Sequence, residues 1–218
     1  MLRRLGLAIA IVFLVSPGFG QRTITKGEYS SAYFEVLEKT ELRGRRKISR
    51  TYRYRDGSKA LSRERIEESL LPYKAHILDI DYGKSIPGRV EFIDVDGDSF
   101  CRHDSRPWER VSYPCIFGLR VTGVLGIISS SFSVDEGLFA GSKVRVFREY
   151  TTFKPPNPRP EQKVSLSFNE IKLWVNERGL AVYKTDVVGL IEPRILYAET
   201  IDEYEYDPKG LKIEPPIK

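Results

Sequence analysis

Residue types able to do chemistry crowd into one stretch of this chain, VEFIDVDGDSFCRHDSRPWERVSYPC, Val90 to Cys115. It contains both cysteines, one of the two histidines, one of the two tryptophans, and Asp94, Asp96 and Asp98 at alternate positions. A calcium loop begins with alternating acids, but then requires glycine at its sixth position and a bidentate glutamate at its twelfth. Those positions are Ser99 and Ser105 here, so the template fails where it is most diagnostic. Asp96-Gly97, between EFIDV and SFCR, is instead a favoured pair for a tight hairpin turn with positive φ at both central residues. His103 beside Asp104, with Glu109 nearby, suggests acid-base chemistry only in outline. Nucleophilic catalysis needs a serine or thiol held by a base that a third group orients, and no such motif stands in the sequence. His76 falls in the alternating segment AHILDIDYG and reads as a strand residue. Glu67 and Glu68 are consecutive, so on a strand they face opposite ways. No catalytic residue, metal ligand or cofactor is predicted.

The stretch must be read in its compartment. The chain opens MLRRLGLAIAIVFLVSPGFGQ: two arginines, an apolar run from Leu5 to Val15, then Ser16-Pro17 and small residues to Gly20. This order of charged, apolar and small segments is that of a secretory signal cleaved after Gly20. The run is too short for a spanning helix, which needs about 20 residues. No later segment approaches that length, so the expected product, residues 21–218, is exported to the periplasm or the medium and is not an integral membrane protein. Loss of Arg3 and Arg4 lowers the formal charge of +5 by two. The remaining charges are dispersed, which argues against nucleic acid as a partner. In an oxidising compartment two cysteines default to a disulfide. The bend at Ser105 to Trp108 lets the strand around Cys101 return beside the one leading to Cys115. Closing a loop of about 15 residues contributes roughly 3 kcal/mol through loop entropy. A zinc site or a redox couple would call for more ligands or a CxxC spacing.

The elements that must carry these residues follow from periodicity. TKGEYSSAYFEVLEKTE places Tyr29, Tyr33, Val36 and Leu37 on one stripe after a candidate Thr25 cap, which predicts a helix. Beyond it the period becomes two. In ISRTYRYRDG, Ile48, Tyr52 and Tyr54 share one parity while Lys47, Ser49, Thr51, Arg53 and Arg55 share the other. RERIEESLLP, AHILDIDYG, GRVEFIDV, SKVRVFREYTTF, VSLSFNEIKLWVN, GLAVYKTDVV and RILYAETIDEYEYD read as further strands. They are separated by turns at Asp56-Gly57, Tyr82-Gly83, Asp96-Gly97, Arg178-Gly179 and Asp207-Pro208. Strands without intervening helices pair as antiparallel hairpins. The fold class is mainly β (α+β): one curved antiparallel sheet with the N-terminal helix on its concave side, in a single domain over residues 21–218. The proline-rich Lys154 to Gln162 reads as a stiff rim loop. Phe117 to Phe132, apolar but broken by glycines, reads as a mobile lid or a short buried helix.

IKLWVNERGLAVYKTDVV followed by RILYAETIDEYEYDPKGLKIEPP, with the leading YFEVLEKTELRGRRKISRTYRYRDG and RIEESLLPYKAHI, resembles the outer-membrane lipoprotein-carrier (LolA-like) superfamily of bacterial exported proteins. The resemblance spans nearly all of the chain after the leader. It implies an incomplete β-barrel whose concave face, capped by helix, forms an apolar cavity for acyl chains of lipoproteins or lipids. The disulfide hairpin departs from the carrier pattern, and no binding residue is carried over from the superfamily. From the residues themselves, the same-parity pairs Tyr52 and Tyr54, Leu78 and Ile80, Val90 and Phe92, Val144 and Val146, and Leu173 and Val175 are the candidate cavity wall. The expected function is noncatalytic binding of a lipid, lipoprotein or other hydrophobic ligand in the cell envelope. The alternative is a secreted interaction or sensor module with a filled core.

Overall fold

The structure, a computed structural model, describes residues 21–71, 73–83, 85–112, 115, 126–154 and 166–217. The proposed leader and residues 155–162 of the proline-rich segment lie outside the described residues. After the short strand β1 (Arg22–Ile24) comes the one helix, α1 (Lys26–Glu41). Its start is fixed by a reciprocal cap: the Glu28 N–H donates to Thr25 Oγ1 at 3.2 Å, and the Thr25 N–H donates to the Glu28 carboxylate at 2.7 Å. The helix buries Tyr29, Val36 and Thr40 along one stripe. Thr40 then ties its last turn to the sheet, since its hydroxyl receives hydrogen bonds from the Ala181 N–H and the Tyr206 hydroxyl.

All other elements are strands: β2 (Arg45–Arg55), β3 (Ser58–Leu70), β4 (Lys74–Asp81), β5 (Gly88–Val95), β6 (Asp98–His103), β7 (Glu109–Val111), β8 (Gly126–Phe139), β9 (Ser142–Lys154), β10 (Ser167–Asn176), β11 (Ala181–Leu190) and β12 (Ile195–Tyr206). They form one antiparallel sheet of 12 strands in the order β1-β8-β9-β10-β11-β12-β2-β3-β4-β5-β6-β7. Two runs of hairpins, β8 to β12 and β2 to β7, are thus joined where β12 pairs with β2. The sheet curves without closing, an incomplete barrel with α1 on its concave side. Among the described residues no helix is long and apolar enough to cross a membrane.

The turns follow local chemistry. Asp56-Gly57 and Asp96-Gly97 both adopt positive φ, 50° and 76°, and 54° and 94°. That is the two-residue geometry that matches the twist of the flanking strands. Asn176 closes the β10–β11 turn by accepting from the N–H groups of Arg178 and Leu180. Gly189 is required by packing rather than by φ. A Cβ there would collide with the Ile195 carbonyl oxygen and lie 2.9 Å from Phe168, itself fully buried.

One element departs from the sequence expectation. From Gly126 onward the segment read as a lid or buried helix is strand β8, paired with β9 along its length from Gly126↔Lys154 to Phe139↔Ser142. Residues 117–125 of that segment lie outside the described residues. Gly126 to Ser131 are exposed on both faces, so GIISSS has no buried side to impose alternation, and its strand character comes from the β9 partner rather than from its own pattern. The Ala140-Gly141 turn that follows, with φ of 49° and 80°, carried no pair of favoured turn residues.

Candidate functional site

Residues directly opposed in an antiparallel ladder leave the sheet on the same face. One row can therefore be followed across the concave side: Arg22, Val134, Phe147, Leu173, Lys184, Asp202, Ser49, Arg65, Asp79, Val90, His103. After Arg22 it is apolar through Val134, Phe147 and Leu173, turns charged in the middle and ends at the disulfide hairpin.

The apolar end lies under α1. Ile24, Tyr29, Val36, Phe147, Leu173, Val175 and Ala181 form one buried cluster, with Ala32, Tyr33, Phe132, Val134 and Tyr204 against it. The Tyr29 ring stacks on Tyr33 at 5.8 Å and tilts on Phe132 at 5.0 Å. At the margin of this cluster the helix and β1, β8 and β9 leave an open cleft of about 660 Å³. Ile24, Ala32, Val134 and Phe147 supply its apolar lining, and Arg22, Glu28, Ser31, Glu35, Asp135, Glu136 and Arg145 its polar rim. A second hollow of about 470 Å³ adjoins it, sharing Glu136 and Arg145 and lined by Leu138, Val144 and Val175. Both volumes lie in the range of small-molecule sites. Arg145 stands 5.5 Å over the Phe147 ring where the two hollows meet, and its charge reaches Glu35 on the helix side of the cleft.

The middle of the row is different. Arg63 and Arg65 both donate to the Asp79 carboxylate, Arg65 Nη2 at 2.7 Å, and Asp79 is only 5% exposed. Lys47 pairs with Glu67 at 2.8 Å on the same face. Burial opposes the Asp79 charge, but the two guanidinium groups outweigh it and hold the carboxyl below its ordinary value. Lys184 reads the same way with opposite sign. Its burial disfavours the ammonium, while Tyr33, Asp202 and Asp186 around it prevail and keep it above the usual lysine range. Across β2, β3 and Asp79 of β4 the concave side is thus charged, and it turns apolar again at Val90 and Phe92 beside the disulfide.

The ten candidate wall residues divide between two faces. Leu173, Val175, Val90 and Phe92 point to the helix side, the first two inside the filled cluster and the second two beside Cys101. Tyr52, Tyr54, Leu78, Ile80, Val144 and Val146 point to the far side. There Tyr54 donates to Glu199 and Lys59 lies 4.2 Å over the Tyr52 ring. Val144 and Val175 nonetheless both border the second hollow, at the β8–β9 end. The alternation within each strand was legible. The relation between strands was not, because bulges at Thr51/Tyr52, Trp174/Val175 and Val188/Gly189 shift the register. The cleft residues Ile24, Ala32, Val134 and Phe147 had a partial signal: Ile24 immediately precedes the helix cap, and Phe147 alternates within β9. Val134 sits on β8, which was not recognised as a strand.

The dense stretch is the last hairpin pair of the sheet. Asp96-Gly97 joins β5 to β6, and β6 turns back into β7 with Cys101 opposite Glu109. Cys101 and Cys115 form a disulfide with Cα atoms 6.2 Å apart, inside the usual range. His76 lies on the far side of β4, its ring nitrogens 2.9 Å from Glu68 and 3.0 Å from Glu91. Arg46 joins this ladder through Glu68, and Arg89 and Arg102 through Glu91. Both carboxyls are held below their ordinary range: burial works against this, and the hydrogen bonds from His76 and the arginines overcome it.

No protein-family description and no curated protein matches the chain. Among solved structures, it is similar to the lipoprotein LppX of Mycobacterium tuberculosis at 11% identity and a TM-score of 0.35, over 87% of this chain and 100% of that one. It is also similar to a putative outer membrane lipoprotein-sorting protein domain from Vibrio parahaemolyticus, at 8% identity and a TM-score of 0.31, over 84% and 93% of the two chains. A DUF1329 family protein from Desulfovibrio piger aligns at 11% identity and a TM-score of 0.30, over 86% and 94%.

Proposed function

We propose that the protein is an exported, noncatalytic binding protein of the cell envelope. Residues 1–20 act as its leader, and residues 21–218 form one domain that holds the apolar part of an amphipathic ligand such as an acyl chain. The observation that carries this reading is the cleft between α1 and β1, β8 and β9: about 660 Å³, floored by Ile24, Ala32, Val134 and Phe147, with Arg22 and Arg145 among the rim groups that would meet a polar head. The adjoining hollow lined by Leu138, Val144 and Val175 would extend the room available to a chain.

The experiment is organic extraction of the purified protein with lipid mass spectrometry, together with titration by a fluorescent fatty acid. Saturable uptake, lost when Ala32→Trp fills the cleft in a protein of unchanged circular dichroism, supports the reading. Absence of both co-purifying lipid and uptake overturns it.

The alternative, an interaction or sensor module, is favoured by one specific observation: the uncovered middle of the concave side is charged. That reading expects Ala32→Trp to be neutral and a protein partner to be lost when Arg65 and Lys47 are reversed to glutamate.

A further inference from the structure

Cys101, His103 and Cys115 form the one group among the described residues whose soft or borderline ligand atoms could hold a metal ion; the three atoms all lie within 4.8 Å of one another. Cys101 and His103 are two apart on β6, so both point to the concave side. Cys115 reaches the same point from beyond β7. His103 Nε2 stands 3.6 Å from Cys101 Sγ. In a tetrahedral zinc site, Zn–S and Zn–N bonds of ordinary length place sulfur and nitrogen about 3.5 Å apart and two sulfurs about 3.8 Å apart. The nitrogen-sulfur edge is thus already present while the disulfide is intact. The two sulfurs must separate by roughly 1.8 Å and Cys115 Sγ, within 4.8 Å of the histidine nitrogen, must settle about 3.5 Å from it, adjustments that side-chain rotation can supply. Glu109, the cross-strand partner of Cys101, leaves the sheet on the same face and can approach the remaining position in place of water.

We propose that the hairpin staple is redox-gated: oxidised it is a disulfide, and reduced it is a Cys2His site for a thiophilic divalent cation, with Zn²⁺ as the probe. A dithiol reductant gives the disulfide two electrons and two protons and itself becomes a disulfide, leaving Cys101 and Cys115 as thiols. Zn²⁺ then binds the two thiolates and the neutral imidazole, and the two thiol protons go to solvent. Either state ties the segment beyond β7 to β6, so the last strand of the sheet stays anchored when the covalent bond is lost.

The test is a Co²⁺ titration of the reduced, reductant-free protein under argon, followed by displacement with Zn²⁺. One equivalent should produce a thiolate-to-cobalt charge-transfer band, absent from the oxidised protein and from the Cys101→Ser/Cys115→Ser variant. His103→Asn should weaken Zn²⁺ binding at least tenfold while leaving the melting temperature of the oxidised protein unchanged. Absence of the band at one equivalent, or a His103→Asn protein that binds Zn²⁺ as tightly as the parent, overturns the proposal. Should reduction alone unfold the chain by circular dichroism, Zn²⁺ must restore the fold in the parent but not in His103→Asn; failure to do so counts equally against it.

Discussion

The two halves of the concave side solve the same packing problem with opposite chemistry. Under α1, Phe147, Leu173 and Val175 are closed off by Tyr29 and Val36, and stability there comes from apolar area removed from water. On β2, β3 and β4 no helix follows, and the same face carries Lys47, Arg63, Arg65, Glu67 and Asp79, satisfied by pairing. A face with a lid can be apolar, while a face without one must stay polar or become an exposed patch that invites association. The apolar cleft therefore lies at the margin of the lid, where α1 stops covering β1, β8 and β9.

That contrast can be broken first at the apolar end. Leu173→Ala, at 2% exposure, should cost about 3 to 4 kcal/mol through lost transfer energy and a residual cavity. Chemical denaturation checks this, and a cost below that of an exposed-site change would mean the cluster is not the core. At the charged end, Asp79→Ala leaves two arginines facing each other and should cost roughly 3 kcal/mol. The asymmetry of buried pairs supplies the sharper measurement: replacing Arg63 and Arg65 by methionine in the same variant should recover most of the loss, and no recovery would show that Asp79 acts other than through them. Removing the staple by Cys101→Ser/Cys115→Ser should lower stability by up to about 3 kcal/mol. An unchanged melting temperature would reduce the disulfide to an ornament of the edge.

Acid separates the two ends as well. Asp79, Glu68 and Glu91 have folded values below their unfolded ones, so their contribution is complete above the ordinary carboxylate range and is lost as pH falls through the folded values. The melting temperature should be flat from neutrality to about pH 5 and drop below about pH 4, the region where unfolded carboxyls titrate. Asp79→Asn, already destabilised at neutral pH, should show a shallower drop; a steeper one contradicts the assignment. The smallest effect belongs to an exposed pair. Lys39→Met, which removes the exposed salt bridge to Glu35 on α1, should leave the denaturation midpoint unchanged, and a clear loss would show that the pair is not solvent-screened.

Much of the fold was legible because it is local. The α1 cap needs only Thr25 and Glu28, and the hairpin turns need only Asp-Gly pairs where φ must be positive. Strand β8 was not legible. Its Ile127, Ile128 and following serines do not alternate, and its conformation is imposed by β9. The candidate site was legible only in fragments. Tyr52 and Tyr54 do share a face, but the face is the one turned from α1. No property of residues 52 to 54 could reveal this, since it depends on pairings carried across β12, β11 and β10, with a bulge at two of the joints.

By itself the sequence determined the helix, most strands and their turns, and the pairing of its two cysteines, because each depends on a few neighbouring residues or on the count of thiols. Only the tertiary structure decided which half of the sheet α1 covers, which side of each strand meets it, and where a cleft is left open. Those follow from register and bulges summed over many strands, and a one-residue shift in any of them moves a whole strand's side chains to the other face.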